Sequence, residues 1–235
     1  MDTAMNEMME YDRSNVMFAP DGRLIQVEYA RKTVNQGSLT LGFTCADGVL
    51  ILAEKRTTNE LLKNQEKIMQ IDEHIGAAMA GLISDGRILI ESAQSFAQNN
   101  RITYDTPVDV TSLVKHICSF KQAYTQFAGY RPFGVSVMIG GVDEGPKLFV
   151  TEPSGIYFGY RASALGEKSE EAKNLIKESF KDNMTMAEVA KIGLKILSQL
   201  TTNFSTSKVD SMYITTHEKQ FKRFSDAELK KFYAK

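Results

Sequence analysis

The sequence predicts an α+β fold in which blocks of strands and blocks of helices form separate layers. The predicted elements run as strands, two helices, strands, two helices and strands. Hairpin signals join neighbouring strands, which predicts mainly antiparallel sheets. Such segregated blocks are typical of layered α+β domains and not of alternating βαβ units. Two sheets packed face to face, with a helix pair on each outer side, would bury every apolar stripe.

Composition indicates a single globular domain. The chain has 235 residues, of which 43% are hydrophobic and 24% charged, enough for a sizeable core. The formal net charge is −1, so nothing points to a nucleic-acid or anionic-membrane partner. No apolar run approaches the length of a membrane span. The acidic and polar N-terminus is unlike a signal peptide. These features favour the cytoplasm.

Cysteine and histidine usage gives no sign of metal chemistry. Cys45 and Cys118 are far apart and lack metal-ligand spacing, which favours two reduced core thiols over a disulfide. The three histidines are scattered, at positions 74, 116 and 217. We expect neither a metal nor a cofactor.

The N-terminal region divides into a tail and a patterned segment. Residues 1–10 are polar, rich in methionine and unpatterned, and we expect a mobile tail. Residues 11–235 form the single domain. Ala19-Pro20-Asp21-Gly22 predicts a turn. Asp21 is placed to cap a helix running from about Arg23 to Asn35 and ending at Gly37. Its apolar face would comprise Leu24, Val27, Ala30 and Val34, while Glu28 and Arg31 could pair on another face.

The remaining elements follow from periodicity and turn signals. Strands are predicted at 38–44, 49–53, 68–71, 75–80, 134–141, 147–152, 156–161, 209–215 and 220–223, and residues 55–65 as a loop or short helical turn. Helices are predicted from about Ser84 to Asn99, through the stripe from Val110 to Tyr124, and from about Ser169 to Phe180. The capping boxes Thr185-x-x-Glu188 and Ser225-x-x-Glu228 open two more.

Several motifs together identify a family. The run YDR…F-x-PDGR-x-x-QVEYA at residues 11–30 resembles the N-terminal signature of proteasome α subunits. The runs at 66–72 (EKIMQID), 122–127 (QAYTQF), 129–136 (GYRPFGVS), 140–143 (GGVD) and 152–155 (EPSG) resemble the same family. The similarity extends from about residue 10 to about residue 232. It implies the four-layer αββα sandwich of the N-terminal-nucleophile hydrolase type, with an added N-terminal helix.

The resemblance implies a non-catalytic role. Proteasome α subunits form a heptameric outer ring that gates substrate entry to the proteolytic β chamber of the 20S core. The implied partners are other α subunits, β subunits, unfolded protein substrates in transit, and a regulatory ATPase whose C-terminus ends in hydrophobic-Tyr-any. The run FAPDGRLIQVEYARK and the compact chain resemble archaeal α subunits more than eukaryotic ones. An archaeal origin would imply a homomeric ring, and a eukaryotic origin a ring of seven different subunits.

Three sets of site residues follow from the resemblance. The gate would be held by Tyr11, Asp12, Pro20 and Tyr29. The pocket for the ATPase tail would comprise Gly22, Arg23, Leu24, Glu28 and Lys67, with Lys67 paired to the terminal carboxylate. The pore loop would comprise Phe127, Ala128, Gly129, Tyr130 and Arg131. This loop departs from the expected Tyr-Gly-Gly-Val-Arg, because Ala128 replaces a flexible glycine and Tyr130 adds bulk.

Two alternatives stay open. In the first, the chain is cleaved between Gly37 and Ser38, and Ser38 acts as an N-terminal nucleophile beside Glu54 and Lys67. The upstream motif argues against it, since a discarded propeptide need not carry the strongest signature of the chain. In the second, the chain forms a free α-like ring that serves as a scaffold without β subunits. Co-purification of a β subunit would separate this from the main interpretation.

Overall fold

The computed structural model describes residues 16–56 and 66–234. The predicted tail, Tyr11 and Asp12, and nearly all of the predicted loop at 55–65 lie outside the described residues. Within the described ranges, no helix combines the length and the apolar character that a membrane crossing requires.

Nine strands of the described chain form two antiparallel sheets. One sheet has four strands: β1 (Thr40–Cys45), β2 (Gly48–Glu54), β8 (Ala162–Leu165) and β9 (Val209–Thr215), in the order β8-β1-β2-β9. The other has five: β3 (Ile68–Asp72), β4 (Ile75–Gly81), β5 (Val135–Val142), β6 (Pro146–Thr151) and β7 (Tyr157–Gly159), in sequence order. Every pairing is antiparallel, as predicted.

Helices cover both outer faces of the stacked sheets. The α-helices of the described chain are α1 (Ile25–Gln36), α2 (Ile83–Tyr104), α3 (Val110–Ala123), α4 (Ser169–Ser179), α5 (Met186–Leu200) and α6 (Asp226–Ala234). Of these, α1 covers neither outer face: it packs on β4 and β5 and contributes Val34 to the layer between the sheets. α2 and α3 pack on the five-stranded sheet, whereas α4, α5 and α6 cover the four-stranded sheet. Between the sheets lies a third apolar layer that includes Ile51, Ala78, Met138 and Met212. The predicted four-layer αββα sandwich is confirmed.

Local sequence signals explain where several helices begin. Thr185 and Glu188 bond each other's main-chain N–H groups at the start of α5, so this capping box is confirmed. Ser225 and Glu228 form the second box before α6, where the Glu228 carboxylate lies 2.8 Å from the Ser225 nitrogen. Asp109 caps α3 by accepting from the Ser112 nitrogen at 2.8 Å. These caps satisfy N–H groups that have no partner inside the helix.

One predicted cap is wrong. Asp21 does not cap α1, whose N-cap position is Leu24 and makes no side-chain capping bond. The Asp21 carboxylate instead accepts from the Arg23 main-chain nitrogen at 3.2 Å and from Arg23 Nε at 2.8 Å. The reason is that the turn continues through Gly22 and Arg23, so α1 begins at Ile25, too far along for Asp21 to reach.

Two predicted strands are also corrected. The strand predicted at 156–161 is limited to β7, Tyr157–Gly159, and the chain then enters β8 of the other sheet at Ala162, a strand that was not predicted. The crossing occurs where Tyr160 donates to Leu148 in one sheet and Arg161 accepts from Thr44 in the other. The segment 220–223 makes a single bridge, between Lys222 and Tyr213. It does not extend into a strand because the Phe221 nitrogen bonds Glu73 at the turn between β3 and β4.

Candidate functional site

The N-terminal turn has the predicted geometry. The Gly22 nitrogen donates to the Ala19 oxygen at 2.8 Å, and the Ala19 nitrogen donates to the Arg23 oxygen at 2.8 Å. Pro20 occupies the second position of this turn, which suits its fixed φ. Gly22 has a φ of +80°, a left-handed conformation that favours glycine. Gly22, Arg23 and Leu24 are thereby fixed just ahead of α1.

Helix α1 attaches this turn to the body of the domain. Its apolar side buries Val27, Ala30 and Val34 against β4 and β5. Arg31 bonds the Glu28 carboxylate at 2.9 Å, as predicted, and also the carboxylate of Glu152 at 2.7 Å. The second contact links α1 to the turn between β6 and β7. On the exposed side, the Lys32 ammonium lies 5.3 Å from the ring centre of Tyr29.

The junction after α1 is tightly enclosed. The Gly37 oxygen accepts from the Glu167 nitrogen at 2.7 Å. A Cβ atom on Gly37 would lie 2.5 Å from the Gly81 nitrogen, and one on Gly166 would lie 2.5 Å from the Ser38 oxygen. Such distances leave no room for a side chain at either glycine. The chain therefore enters β1 between two close main-chain neighbours.

Lys67 lies buried beside this junction. Its side chain donates to the Ser38 hydroxyl at 2.8 Å, to the Ser38 main-chain oxygen, and to the Leu39 oxygen at 3.5 Å. The residue is 5% exposed. Burial lowers the pKa of Lys67 to about 7, and the negative charge of Glu54 offsets this effect in part.

The strand start that carries Lys67 is held by a partly buried ion pair. The Asp210 carboxylate accepts from the main-chain nitrogens of Lys67 and Ile68, at 3.3 and 3.2 Å. Arg223 donates to the same carboxylate at 2.9 Å. The position of Lys67 is thus fixed through its own backbone. Sequence reasoning missed Asp210 and Arg223, because no local pattern indicates a contact between β9 and β3.

The geometry brings together two members of the Ser38–Glu54–Lys67 set. Ser38 and Lys67 are in hydrogen-bond contact. Ser38 Oγ also donates to the main-chain oxygen of Glu54 at 2.8 Å, and not to its carboxylate. The Glu54 carboxylate lies 3.7 Å from Arg56 Nε. In the described part of the chain, Glu54 therefore acts on Ser38 through its backbone.

Two cavities adjoin this region. The smaller has a volume of about 140 Å³ and is lined by Ser38, Lys67 and Gly81 among others. The larger, of about 310 Å³, is lined by Glu167, Lys168 and the end of α5. Arg56 stands between them and pairs with the Glu167 carboxylate. Sequence reasoning did not single out Arg56, since nothing around it in the sequence sets it apart.

The predicted pocket residues fall into two groups within one chain. Gly22, Arg23, Leu24 and Glu28 lie at the start of α1. Lys67 contacts Ser38, just beyond the end of the same helix. At 1.5 Å per residue, twelve helical residues separate the two groups by about 18 Å. One chain therefore does not bring the five residues together.

The predicted pore loop is anchored at one end. Arg131 donates twice to the Asp85 carboxylate, at 2.5 and 2.8 Å, and the Gly134 nitrogen donates to it at 2.9 Å. Burial raises the pKa of Asp85, but these hydrogen bonds outweigh it and hold the pKa below its ordinary value. Asp85 lies on α2, and sequence reasoning missed this long-range contact.

The tip of the predicted pore loop carries two exposed aromatic side chains. Phe127 is 60% exposed and Tyr130 is 55% exposed. The Tyr130 ring meets Tyr124 edge-on, with 5.2 Å between ring centres. Gly129 has a φ of +87°, a conformation that favours glycine, whereas Ala128 is not among the residues with positive φ.

Comparison with known proteins agrees with this architecture. A family model described as "Proteasome subunit" matches residues 34–214, and a second model, for the N-terminal signature of A-type proteasome subunits, matches residues 11–32. The proteasome alpha subunit of Thermococcus sibiricus is 43% identical over 223 residues, covering 94% of this chain and 86% of that protein. The proteasome alpha subunit of Archaeoglobus fulgidus is 42% identical over 227 residues, covering 95% of this chain and 92% of that protein.

A third protein of that name, from Pyrococcus abyssi, is 40% identical over 224 residues, covering 94% of this chain and 86% of that protein. All three relatives are archaeal, so the predicted similarity to archaeal α subunits is confirmed. The matches span the N-terminal turn, α1 and both sheets. This chain belongs to the proteasome α subunit family.

Proposed function

We propose that this α subunit forms a heptameric ring with other α subunits, stacks on a ring of β subunits, and controls the entry of unfolded proteins. The chain itself is a structural subunit of the 20S core. The proposal places it in the cytoplasm as a component of ATP-dependent protein degradation, in which the β subunits cut the substrate. The proposed ring is homomeric, in keeping with the archaeal relatives.

The proposed gate consists of the N-terminal tail and the residues that hold it. Tyr11, Asp12, Pro20 and Tyr29 would fix the tail in its open position. Pro20 sits in a turn closed by two main-chain hydrogen bonds, and Tyr29 is 44% exposed in the second turn of α1. Such a turn is stiff enough to transmit a small shift from a docked partner to the tail. A hydroxyl and a carboxylate could then pair across neighbouring subunits.

The proposed docking pocket lies between neighbouring subunits. The observation that carries this idea is that the twelve residues of α1, about 18 Å of helix, separate the Gly22–Leu24 turn from Ser38, which Lys67 contacts. Two half-sites at opposite ends of one helix can form a single pocket when the start of α1 in one subunit meets the end of α1 in the next. The C-terminus of a regulatory ATPase, ending in hydrophobic-Tyr-any, is the proposed occupant.

The proposed path of the substrate passes the loop from Phe127 to Arg131. Extended, unfolded chains expose apolar side chains, which the exposed rings of Phe127 and Tyr130 could contact. The anchor between Arg131 and Asp85 would keep the loop from closing the pore.

Native mass spectrometry of the chain produced together with its β subunit tests the assembly. We expect full-length α subunits, each of 26.3 kDa, in rings of seven stacked on processed β subunits. Rings that lack β subunits would support the scaffold alternative instead.

The contact between Ser38 and Lys67 is the one observation that favours the hydrolase alternative. The same mass measurement decides it. An α chain that begins at Ser38 would make Ser38 the nucleophile and refute the gating role of the upstream segment.

Peptide hydrolysis by the assembled particle tests the gate. Deletion of residues 1–12 should raise the hydrolysis of a short fluorogenic peptide several-fold, because the proposed barrier is removed. The matched control is deletion of residues 1–4, which leaves Tyr11 and Asp12 in place. Equal hydrolysis by the intact and the deleted particle would contradict the gate.

A further inference from the structure

An ion pair from one sheet holds the start of a strand in the other. Within the described sheets, β3 lies at an edge and pairs with β4. The Asp210 carboxylate, on β9, accepts from the main-chain nitrogens of Lys67 and Ile68 at 3.3 and 3.2 Å. Arg223 donates to the Ile68 oxygen at 2.7 Å and to the Asp210 carboxylate at 2.9 Å. Both main-chain polar groups of Ile68 are therefore bonded by side chains from a distant part of the chain.

The Asp210 carboxylate is buried and has little freedom to turn. Its side chain is 6% exposed, and it accepts a further hydrogen bond from the Ser211 nitrogen at 3.0 Å. The carboxylate thus accepts from three main-chain nitrogens and one guanidinium. Bonds to a charged acceptor are strong, so this group is a rigid support for the strand start that it meets.

The support fixes the point from which the Lys67 side chain extends. That side chain reaches the cavity of about 140 Å³, where its Nζ atom lies 2.8 Å from Ser38 Oγ and 3.5 Å from the Leu39 oxygen. The contact with Leu39 is the weakest by its length. An incoming carboxylate could therefore replace this oxygen at the least cost and leave the contact with Ser38 in place.

Charged groups act on the same ammonium. Burial lowers the pKa of Lys67 to about 7. The negative charge of Glu54 opposes this effect, the positive charge of Arg56 adds to it, and the negative charge of Asp210 opposes it. Glu54 lies on β2 and Asp210 on β9, neighbouring strands of the four-stranded sheet. Asp210 therefore favours the charged form of the side chain whose backbone it holds.

We propose that Asp210 and Arg223 are positioning residues of the docking pocket, which hold the Lys67 ammonium in place for the terminal carboxylate of a docked tail. The inference rests on the proposed function, in which Lys67 pairs with the chain end. It adds a dependence on pH, because a carboxylate binds an ammonium group much more strongly than a neutral amine. Docking should weaken as the pH rises and Lys67 loses its proton.

The test uses the assembled particle and a fluorescent octapeptide ending in Leu-Tyr-Ala, made as the free acid and as the amide. Both forms have a blocked N-terminus, so neither carries a group that titrates between pH 6 and 9. Fluorescence anisotropy measures both affinities across that range. The wild-type particle should bind the acid about tenfold more tightly than the amide at pH 6. This preference should be halved near pH 7 and largely lost by pH 9.

D210N and R223Q separate the two effects. D210N removes a negative charge close to Lys67, so the pH at which the acid preference is halved should fall by about half a unit or more. R223Q keeps that charge but releases the Ile68 oxygen. It should weaken binding of the acid about threefold at every pH, while the pH of half preference stays in place. A loss of stability alone would affect the two variants in the same way.

D182N is the matched control. Asp182 is also a carboxylate paired with an arginine, Arg161. The Arg161 main chain bonds Thr44, at the other end of β1 from the docking pocket. D182N should therefore leave both affinities, and the pH of half preference, as they are in the wild type.

The outcomes separate the inference from the proposed function. If D210N binds the acid as the wild type does at every pH, or binds both peptides more weakly without a change in the pH of half preference, the role of Asp210 is refuted and the pocket stands. R223Q decides the matter where D210N does not assemble, since wild-type affinity for the acid in R223Q would also refute the support. A wild-type particle that binds neither peptide, or binds both alike at pH 6, would refute the docking of a chain end at Lys67, and the inference with it.

Discussion

The Nζ atom of Lys67 lies 2.8 Å from the Oγ atom of Ser38. The same ammonium also bonds main-chain oxygens of Ser38 and Leu39, so it fastens the entry of β1 to the start of β3. A lysine and a serine that could serve catalysis on a processed chain here stabilise the wall of a cavity.

Removal of the Ser38 hydroxyl should destabilise the subunit. S38A removes a donor to the Glu54 oxygen at 2.8 Å and an acceptor for Lys67. We expect the free energy of unfolding to fall by about 1–2 kcal/mol, the cost of leaving part-buried partners unsatisfied. Urea unfolding of the purified subunit measures it.

The control for S38A is S198A. The Ser198 hydroxyl donates to the Lys195 oxygen within its own helix, so its removal leaves no distant group without a hydrogen-bond partner. We expect no measurable change. Equal stability of S38A and the wild type would contradict the role given to Ser38.

Lys121 is fully buried between α3 and the five-stranded sheet. Its ammonium donates to the Val135 oxygen at 2.9 Å and to Thr151 Oγ1 at 3.1 Å. Burial lowers the pKa of Lys121 to about 7, although Cys118 and Glu152 act in the opposite direction. Between about pH 7 and the ordinary lysine pKa of about 10.4, the unfolded chain therefore holds a proton that the folded chain lacks.

This difference makes stability rise with pH. Lys121 should contribute up to about 1.4 kcal/mol per pH unit above pH 7, and nothing to the slope well below it, where both states hold the proton. In urea unfolding between pH 7 and 9, the free energy of unfolding of K121M should therefore rise less steeply with pH than that of the wild type. The control K173M, at an ion-paired lysine on α4, should keep the wild-type slope. Parallel curves for K121M and the wild type would show that Lys121 stays charged when buried.

Two glycines with positive φ differ in the space around them. Gly22 has a φ of +80°, and no described atom lies within 4 Å of where a Cβ would sit, whereas Gly166 has a φ of +92° and would place a Cβ 2.5 Å from the Ser38 oxygen. G22A should cost about 1 kcal/mol, the strain of a left-handed residue. G166A adds a steric clash with the backbone and should cost about 3 kcal/mol or more. Thermal unfolding measures both, and equal costs would argue against the tight junction at Ser38.

The elements of the fold were largely predictable because their signals are local. Apolar periodicity located most helices, and two capping boxes fixed the starts of α5 and α6. The end of β7 at Gly159 and the start of β8 at Ala162 were not predictable, because they depend on which sheet each residue meets. The contact of Asp21 was not predictable either: its carboxylate accepts hydrogen bonds from the nearby Arg23 and does not cap the helix.

The candidate site was predictable where it is contiguous in sequence. The turn at Pro20 and Gly22 and the pair of Glu28 with Arg31 follow from residues a few positions apart. Arg56 and Asp85 could not be identified from the sequence. Arg56 meets Glu167, 111 positions away, and Asp85 meets Arg131, 46 positions away. Such pairs become visible only when both sheets are in place.

Asp85 anchors one end of the predicted pore loop. Asp85 accepts three hydrogen bonds, two from Arg131 and one from the Gly134 nitrogen, and is 8% exposed. D85A should lower the free energy of unfolding by about 2–3 kcal/mol at neutral pH, because a buried N–H group loses its partner and Arg131 loses its carboxylate. Urea unfolding measures this cost.

The same variant should free the loop. Without Asp85, chymotrypsin should cut after Phe127 or Tyr130 faster than in the wild type, as mass spectrometry of timed digests would show. The difference in the free energy of unfolding between the wild type and D85A should become smaller in acid, because the wild type loses its ion pair once the pH falls through the lowered pKa of Asp85. R161Q, which breaks an exposed pair elsewhere, should match the wild type in both assays. Unchanged cleavage in D85A would mean that the aromatic contact between Tyr124 and Tyr130, and not Asp85, holds the loop.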